Sequence, residues 1–115
     1  MTIEIGDDAS VKAFVAAAVK MYGGLDGIHA NAANFAHGNA DTDALDISLE
    51  VFDDIMRVNA RGFLLCMRHA IPELIKRGAG TMLYTSSGAA YVPGDVRPAC
   101  TMSIDMWVRL HGSIV

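Results

Sequence analysis

The sequence predicts an α/β fold, with parallel strands flanked by helices. Three observations carry that prediction: an amphipathic helical repeat from Val11 to Tyr22, two short apolar runs at Leu25–Ala33 and Thr81–Thr85, and a long helical stretch between those runs. Strands that alternate with helices at this spacing build parallel sheets joined by right-handed crossovers.

Ile3 and Ile5 alternate with polar neighbours and suggest a short first strand, and Asp7-Asp8 behind them is good helix N-cap chemistry. Val11, Phe14, Val15, Ala18, Val19 and Tyr22 then recur on one helical face, and Gly23-Gly24 supplies a left-handed stop. The glycine-bounded run Leu25–Ala33 reads as a buried strand. From Asn34 to Asp46, Gly38, Asn39, Asp41, Thr42 and Asp43 break any periodicity, so a loop of functional length is expected. Ser48 offers a second cap, with Glu50 well placed against the helix dipole.

Leu49 to Arg77 is helical in pattern. Phe52, Met56, Phe63, Met67, Ala70 and Leu74 form one stripe, and Leu64, Ile71 and Ile75 lie beside it. So broad an apolar surface predicts burial on two sides, against the sheet and against a second copy of the chain, which makes the helix over 49–77 a homo-oligomer candidate. Pro72 is a possible kink, and Gly78 and Gly80 end the helix. Thr81–Thr85 is β-prone and delivers Ser86-Ser87-Gly88 into a loop kept irregular by Pro93, Gly94 and Pro98; Ala99 to Leu110 could start one more helix.

Composition narrows the function. The 115 residues are 52% apolar and 19% charged, which fits one compact domain over 1–115 and excludes disorder. A net charge of -4 offers no basic stripe for nucleic acid or an anionic membrane. The longest apolar stretches, such as Ala13–Val19, fall well short of the roughly 18 residues of a membrane span, and the N-terminus lacks the pattern of a secretory signal. The expected location is the cytoplasm, with Cys66 and Cys100 as free thiols. His29, His37, His69 and His111 are scattered, and Cys66-x-x-His69 is half a motif, so no metal site is expected. Thr85-Ser86-Ser87-Gly88 does not fit the Gly-x-Ser-x-Gly of serine hydrolases.

Asn59 interrupts the apolar stripe, and a buried amide there needs partners, of which neighbouring backbone is the plainest. Asn31-Ala32-Ala33 and Ser86-Ser87 follow the carboxyl ends of the two expected strands, the edge at which open α/β sheets bind ligands. Together these segments resemble the short-chain dehydrogenase/reductase family, most strongly from Leu25 to Pro98. Leu25-Asp26 with Ala30-Asn31-Ala32-Ala33 resembles that family's Asn-Asn-Ala-Gly strand end, with the first Asn and the Gly replaced by alanine. Val58-Asn59 with Gly62-Phe63 resembles the motif of its catalytic Asn, and Thr85-Ser86-Ser87-Gly88 the segment of its catalytic Ser.

The resemblance implies a Rossmann-like doubly wound fold, NAD or NADP as cofactor, and a small alcohol or ketone as substrate. It implies Ser87 and Asn59 as catalytic residues and Asn31, Ala32, Ala33 and Thr85 as cofactor-binding residues. In the family a Tyr thirteen positions after the Ser exchanges a proton with the substrate oxygen, and a Lys four positions further lowers that phenol's pKa. Here those positions hold Cys100 and Ile104. The family's Gly-rich diphosphate turn opens a helix after a strand, whereas Gly23-Gly24 and Gly78-Ala79-Gly80 each lead into one.

By resemblance the chain begins near the end of the family's third strand and so represents a partial fold without the first two strands or the C-terminal ones. The expectation is a short-chain oxidoreductase portion inactive alone; the alternative is a non-catalytic remnant that dimerises or binds a partner through the 49–77 helix. A parallel strand pair with both edges open is a poor sheet and an aggregation hazard. The isolated chain at low micromolar concentration should therefore show a broad or irreversible thermal transition by circular dichroism, and a sharp reversible one would contradict this.

Overall fold

The structure, a computed structural model, describes residues 2–87; Cys100, Ile104 and the helix expected within Ala99–Leu110 lie outside the described residues. The elements in chain order are α1 (Asp8–Tyr22), β1 (Gly27–Ala30), a 3₁₀ turn (Gly38–Ala40), α2 (Leu49–Met56), a π-helical turn (Arg57–Arg61), α3 (Gly62–Arg77) and β2 (Thr81–Tyr84). Two compact units emerge among the described residues, one of residues 2–31 with 61–85 and one of residues 32–60 with 86 and 87.

In the first unit, Asp7 caps α1 by accepting a hydrogen bond from the Ser10 amide at 2.7 Å. Gly23, at φ 76°, ends the helix in a left-handed conformation that a β-carbon would oppose. The expected apolar face is used only in part. Val11 and Val15 are buried, whereas Phe14 and Tyr22 stay exposed, because the seam with α3 is narrower than the apolar repeat.

β1 and β2 pair in parallel, Gly27 opposite Thr81 through Ala30 opposite Tyr84. Alternation turns Ile28, Ala30, Met82 and Tyr84 toward α3, and the Phe63 and Tyr84 rings tilt at 43° with centroids 5.8 Å apart. His29 and Leu83 on the opposite face are exposed, and neither helix of this unit covers them. The strand expected over Leu25–Ala33 is shorter than predicted, because only Gly27–Ala30 meets a partner strand.

No strand forms at Ile3 and Ile5, which corrects the expected opening strand. The segment turns instead, with the Asp7 amide bonded to the Glu4 carbonyl at 3.1 Å. Ile5 is buried against Gly62, so its apolar character serves packing and not a ladder. A β-carbon on Gly62 would sit 3.0 Å from Ile5 Cγ1 and 3.2 Å from the Ile5 carbonyl oxygen, so glycine here permits a close approach.

The single helix expected over Leu49–Arg77 is three elements, interrupted by the π turn that contains Asn59. Turns of this kind widen the hydrogen-bond spacing by one residue and recur at functional sites. α3 continues through Pro72 without ending there and closes at Gly78, φ 92°. Phe63, Leu65, Cys66, Met67, Ala70 and Leu74 are buried along it, while Leu64 and Ile75 are exposed. Cys66 is a free thiol at 4% exposure, and burial pushes its pKa up, which disfavours the thiolate.

In the second unit, the Asp43 carboxylate accepts from the amides of Leu45 and Asp46 at 2.9 and 3.2 Å, an Asx turn that ends the long loop. Ser48 caps α2 through the Val51 amide at 3.2 Å, and α2 buries Ile55.

Replacing Gly62 with alanine should destabilise the chain. Alanine gains about 1 kcal/mol in helix propensity, but overpacking against Ile5, whose carbonyl cannot move aside, costs about 1–3 kcal/mol. The expected net loss is about 1 kcal/mol, read as a lower urea midpoint at unchanged slope; a higher midpoint would refute the packing argument.

Candidate functional site

Two strands that run in parallel present their carboxyl ends at one edge. In the first unit that edge joins Asn31 and Thr85, the residues that follow β1 and β2. The Thr85 amide extends the ladder to the Ala30 carbonyl at 3.1 Å. The Thr85 hydroxyl donates to Asn31 Oδ1, and its oxygen accepts from His29 Nε2 at 2.9 Å. A chain of polarity therefore runs from imidazole to hydroxyl to amide, and it aims the Asn31 NH₂ group away from Thr85. All three side chains are exposed, and the next two residues in the chain, Ala32 and Ala33, are exposed methyls that leave the backbone approachable.

The second unit is organised by Asn59, buried at 7% exposure in the π turn. Its Oδ1 accepts from the Asn34 amide at 2.6 Å, and its Nδ2 donates to the Asn34 carbonyl at 3.4 Å. Both ends of the side-chain amide thus clamp the backbone of one residue. This is the bonding a buried amide requires, met by backbone 25 positions away.

Asn34 is held a second time. Its Nδ2 donates to Asp54 Oδ2 at 2.7 Å, where His37 Nε2 also lies at 2.8 Å. Arg57 binds the other oxygen, Nε at 3.2 Å and Nη2 at 2.9 Å. Hydrogen bonds from His37 and then Arg57 hold the Asp54 carboxyl at about 2, below its ordinary 3.8, although the side chain is 36% exposed. One carboxylate therefore ties the start of the long loop to α2.

Of the residues the sequence singled out, Asn31 and Thr85 meet directly, Asn59 is buried and committed to Asn34, and Ser87 is exposed. Sequence reasoning missed His29 as a strand-end residue and missed the Asn34, His37, Asp54 and Arg57 cluster altogether. The available signal for His29 was its parity with Asn31, since residues two apart share a strand face. Among the described residues no three His, Cys, Asp or Glu side chains could hold a metal ion, and no helix is long and apolar enough to cross a membrane.

A nicotinamide dinucleotide needs donors for its diphosphate and a flat, small-residue approach for the rest. The exposed strand ends fit the second requirement. The first is not met among the described residues: Asp7 and Ser48 already occupy the N-termini of α1 and α2, and Asp8 and Glu50 in the first turns repel anions.

Comparison with known proteins identifies the family. A family model described as enoyl-(acyl carrier protein) reductase matches residues 1–103. The chain belongs to the short-chain dehydrogenase/reductase family. It is 36% identical over 89 residues to dehydrogenase/reductase SDR family member 4 of Bos taurus, covering 77% of this chain and 31% of that protein. It is also 31% identical over 91 residues to (+)-cis,cis-nepetalactol synthase NEPS3 of Nepeta racemosa, covering 79% of this chain and 33% of the relative. The chain thus spans about a third of the length of these curated relatives. The crystal structure of NAD+-bound xylitol dehydrogenase superposes with a TM-score of 0.88 at 18% identity, covering 98% of this chain and 42% of that one, a likeness of fold.

Because the Asp54 carboxyl is held below its unfolded value, its contribution to stability is complete above the unfolded value of 3.8 and is lost as the pH falls toward about 2. Asp54→Asn should be less stable than the native chain at neutral pH, and the two should converge through that acid window in pH-dependent urea unfolding. Parallel curves would remove Asp54 from the account.

Proposed function

We propose that this chain supplies part of the catalytic face of an oxidoreductase that interconverts small alcohols and ketones with NAD or NADP, and that the 115 residues alone do not turn over. The observation that carries the proposal is the Thr85–Asn31 bond at the shared carboxyl edge of β1 and β2, where ligands enter open α/β sheets. Membership of the family supports it, as does a relative named as a dehydrogenase/reductase. A bound nicotinamide would supply or accept the hydride. By the family resemblance, Asn31, Ala32, Ala33 and Thr85 would contact the cofactor and Ser87 would hold the substrate oxygen. Asn59, its amide spent on Asn34, acts by fixing the turn and the loop it clamps.

Cys100 and Ile104 stand where the family resemblance puts a proton-exchanging phenol and the ammonium that tunes it. A thiol is a shorter and chemically different group from that phenol, and Ile104 carries no charge. Such general acid–base groups contribute about 10²- to 10⁴-fold. The reading places the protein in the cytoplasm.

A second reading, a non-catalytic module that dimerises through α3, is favoured by one observation: Leu64 and Ile75 stay exposed at 46% and 72%. One experiment separates the two. Residues 1–103 replace the matching stretch of the Bos taurus relative, with or without Cys100→Tyr. The chimera carrying the tyrosine should reduce ketones with NADH or NADPH, and the one keeping Cys100 should be slower by about 10²- to 10⁴-fold. The 115-residue chain alone should show no turnover. Ordinary turnover by that chain, or a folded tyrosine chimera that is inactive, would overturn the first reading; inactivity together with a dimer in sedimentation would favour the second.

A further inference from the structure

The first unit holds a groove that the proposed chemistry does not use. It lies between α1 and α3, is open to solvent and has a volume of about 460 Å³, within the range of about 300–1,000 Å³ that small-molecule sites occupy. Val15, Val19 and Pro72 give it an apolar floor, and Lys12, Ala16 and Lys20 form one wall.

The charge on its rim is unusual for this chain. Four of the nine basic residues of a protein with net charge -4 line this one groove: Lys12, Lys20, Arg68 and Lys76. Arg68 faces Asp8 at 3.6 Å, with His69 on the same oxygen at 3.0 Å, and Lys76 bonds Glu73 at 2.6 Å. These cations are balanced. Lys12 and Lys20 have no carboxylate at ion-pair distance among the described residues.

Helix electrostatics explains one of that pair and not the other. Lys20 sits in the last turn of α1, where the dipole favours a cation. Lys12 lies in the N-terminal half of the same helix, where the dipole gives no such benefit. Asp8, four residues earlier on α1, is already engaged by His69 and Arg68.

The spacing gives the two lysines a common target. Positions 12, 16 and 20 fall on one face, each about 6 Å further along the axis. Ala16 between them is exposed and carries only a methyl group, which leaves a shallow seat flanked by two flexible ammonium groups. We propose that this groove binds a small amphiphilic anion, its phosphate or carboxylate head over Ala16 between Lys12 and Lys20 and its short alkyl stem along Val15, Val19 and Pro72. Charge selects the head and the floor selects the stem, so neither part alone suffices.

The test is amide chemical-shift titration of the 115-residue chain with octyl phosphate, with octanoate, inorganic phosphate and octanol as separate arms. Octyl phosphate should give saturable shifts centred on Lys12, Ala16, Val19 and Lys20, with a Kd of about 1 mM or tighter. Inorganic phosphate and octanol should each bind at least about tenfold more weakly, and added salt should weaken the octyl phosphate site. Comparing octyl phosphate with octanoate tells a phosphate-headed ligand from a carboxylate-headed one, and saturable binding of either supports the site. Two exposed-site variants check the location while circular dichroism confirms the fold. Lys12→Gln with Lys20→Gln should raise Kd at least about tenfold, and Ala16→Leu should remove binding by filling the seat. Shifts scattered over the surface, equal affinity for inorganic phosphate or for octanol, or unchanged affinity in the folded variants would overturn the proposal.

Discussion

Two four-residue strands share too few hydrogen bonds to stand alone in water, so the first unit depends on the apolar side of α3. Phe63, Cys66, Met67, Ala70 and Leu74 leave water along that helix, and the residues of β1 and β2 that face it supply the other half of the contact. At about 25 cal/mol per Å² of apolar surface, a few such side chains outweigh the net worth of the ladder bonds. Gly62 belongs to the same constraint, since only a missing β-carbon lets Ile5 close the end of the layer. The strand ends stay in register because this helix presses the pair together.

The second unit solves a different problem, the holding of a long irregular loop. Asn59 does so through backbone, grasping both the amide and the carbonyl of Asn34, and Asp54 does so through side chains. The two devices converge on one residue from opposite chemical directions. A loop pinned at its first residue can vary in the middle while its start stays fixed, which is how binding segments keep aim without being rigid throughout.

Local chemistry was readable in advance and distant chemistry was not. The Asp7 and Ser48 caps and the Gly23 stop involve neighbours within a few positions, so composition reveals them. Asn59 was visible as a polar break in an apolar stripe, but nothing in the text identified Asn34 as its partner, because the loop between them has no period. The π turn left no mark either, since a shift of one residue in hydrogen-bond spacing alters no residue type. Ile3 and Ile5 misled because two apolar positions fit a strand and a packed turn equally well. Strand-end residues were legible through family resemblance, yet the His29 bond to Thr85 departs from anything that motif suggested.

The sulfur of Cys66 has a consequence for how the molecule ages. Sealed under α3, with its ionisation suppressed by burial, it offers an oxidant or an alkylating reagent almost no thiolate to attack. Chemical damage at that atom must wait for the helix to lift from the strands, so the rate at which it accumulates would serve as a clock for the fold's own opening.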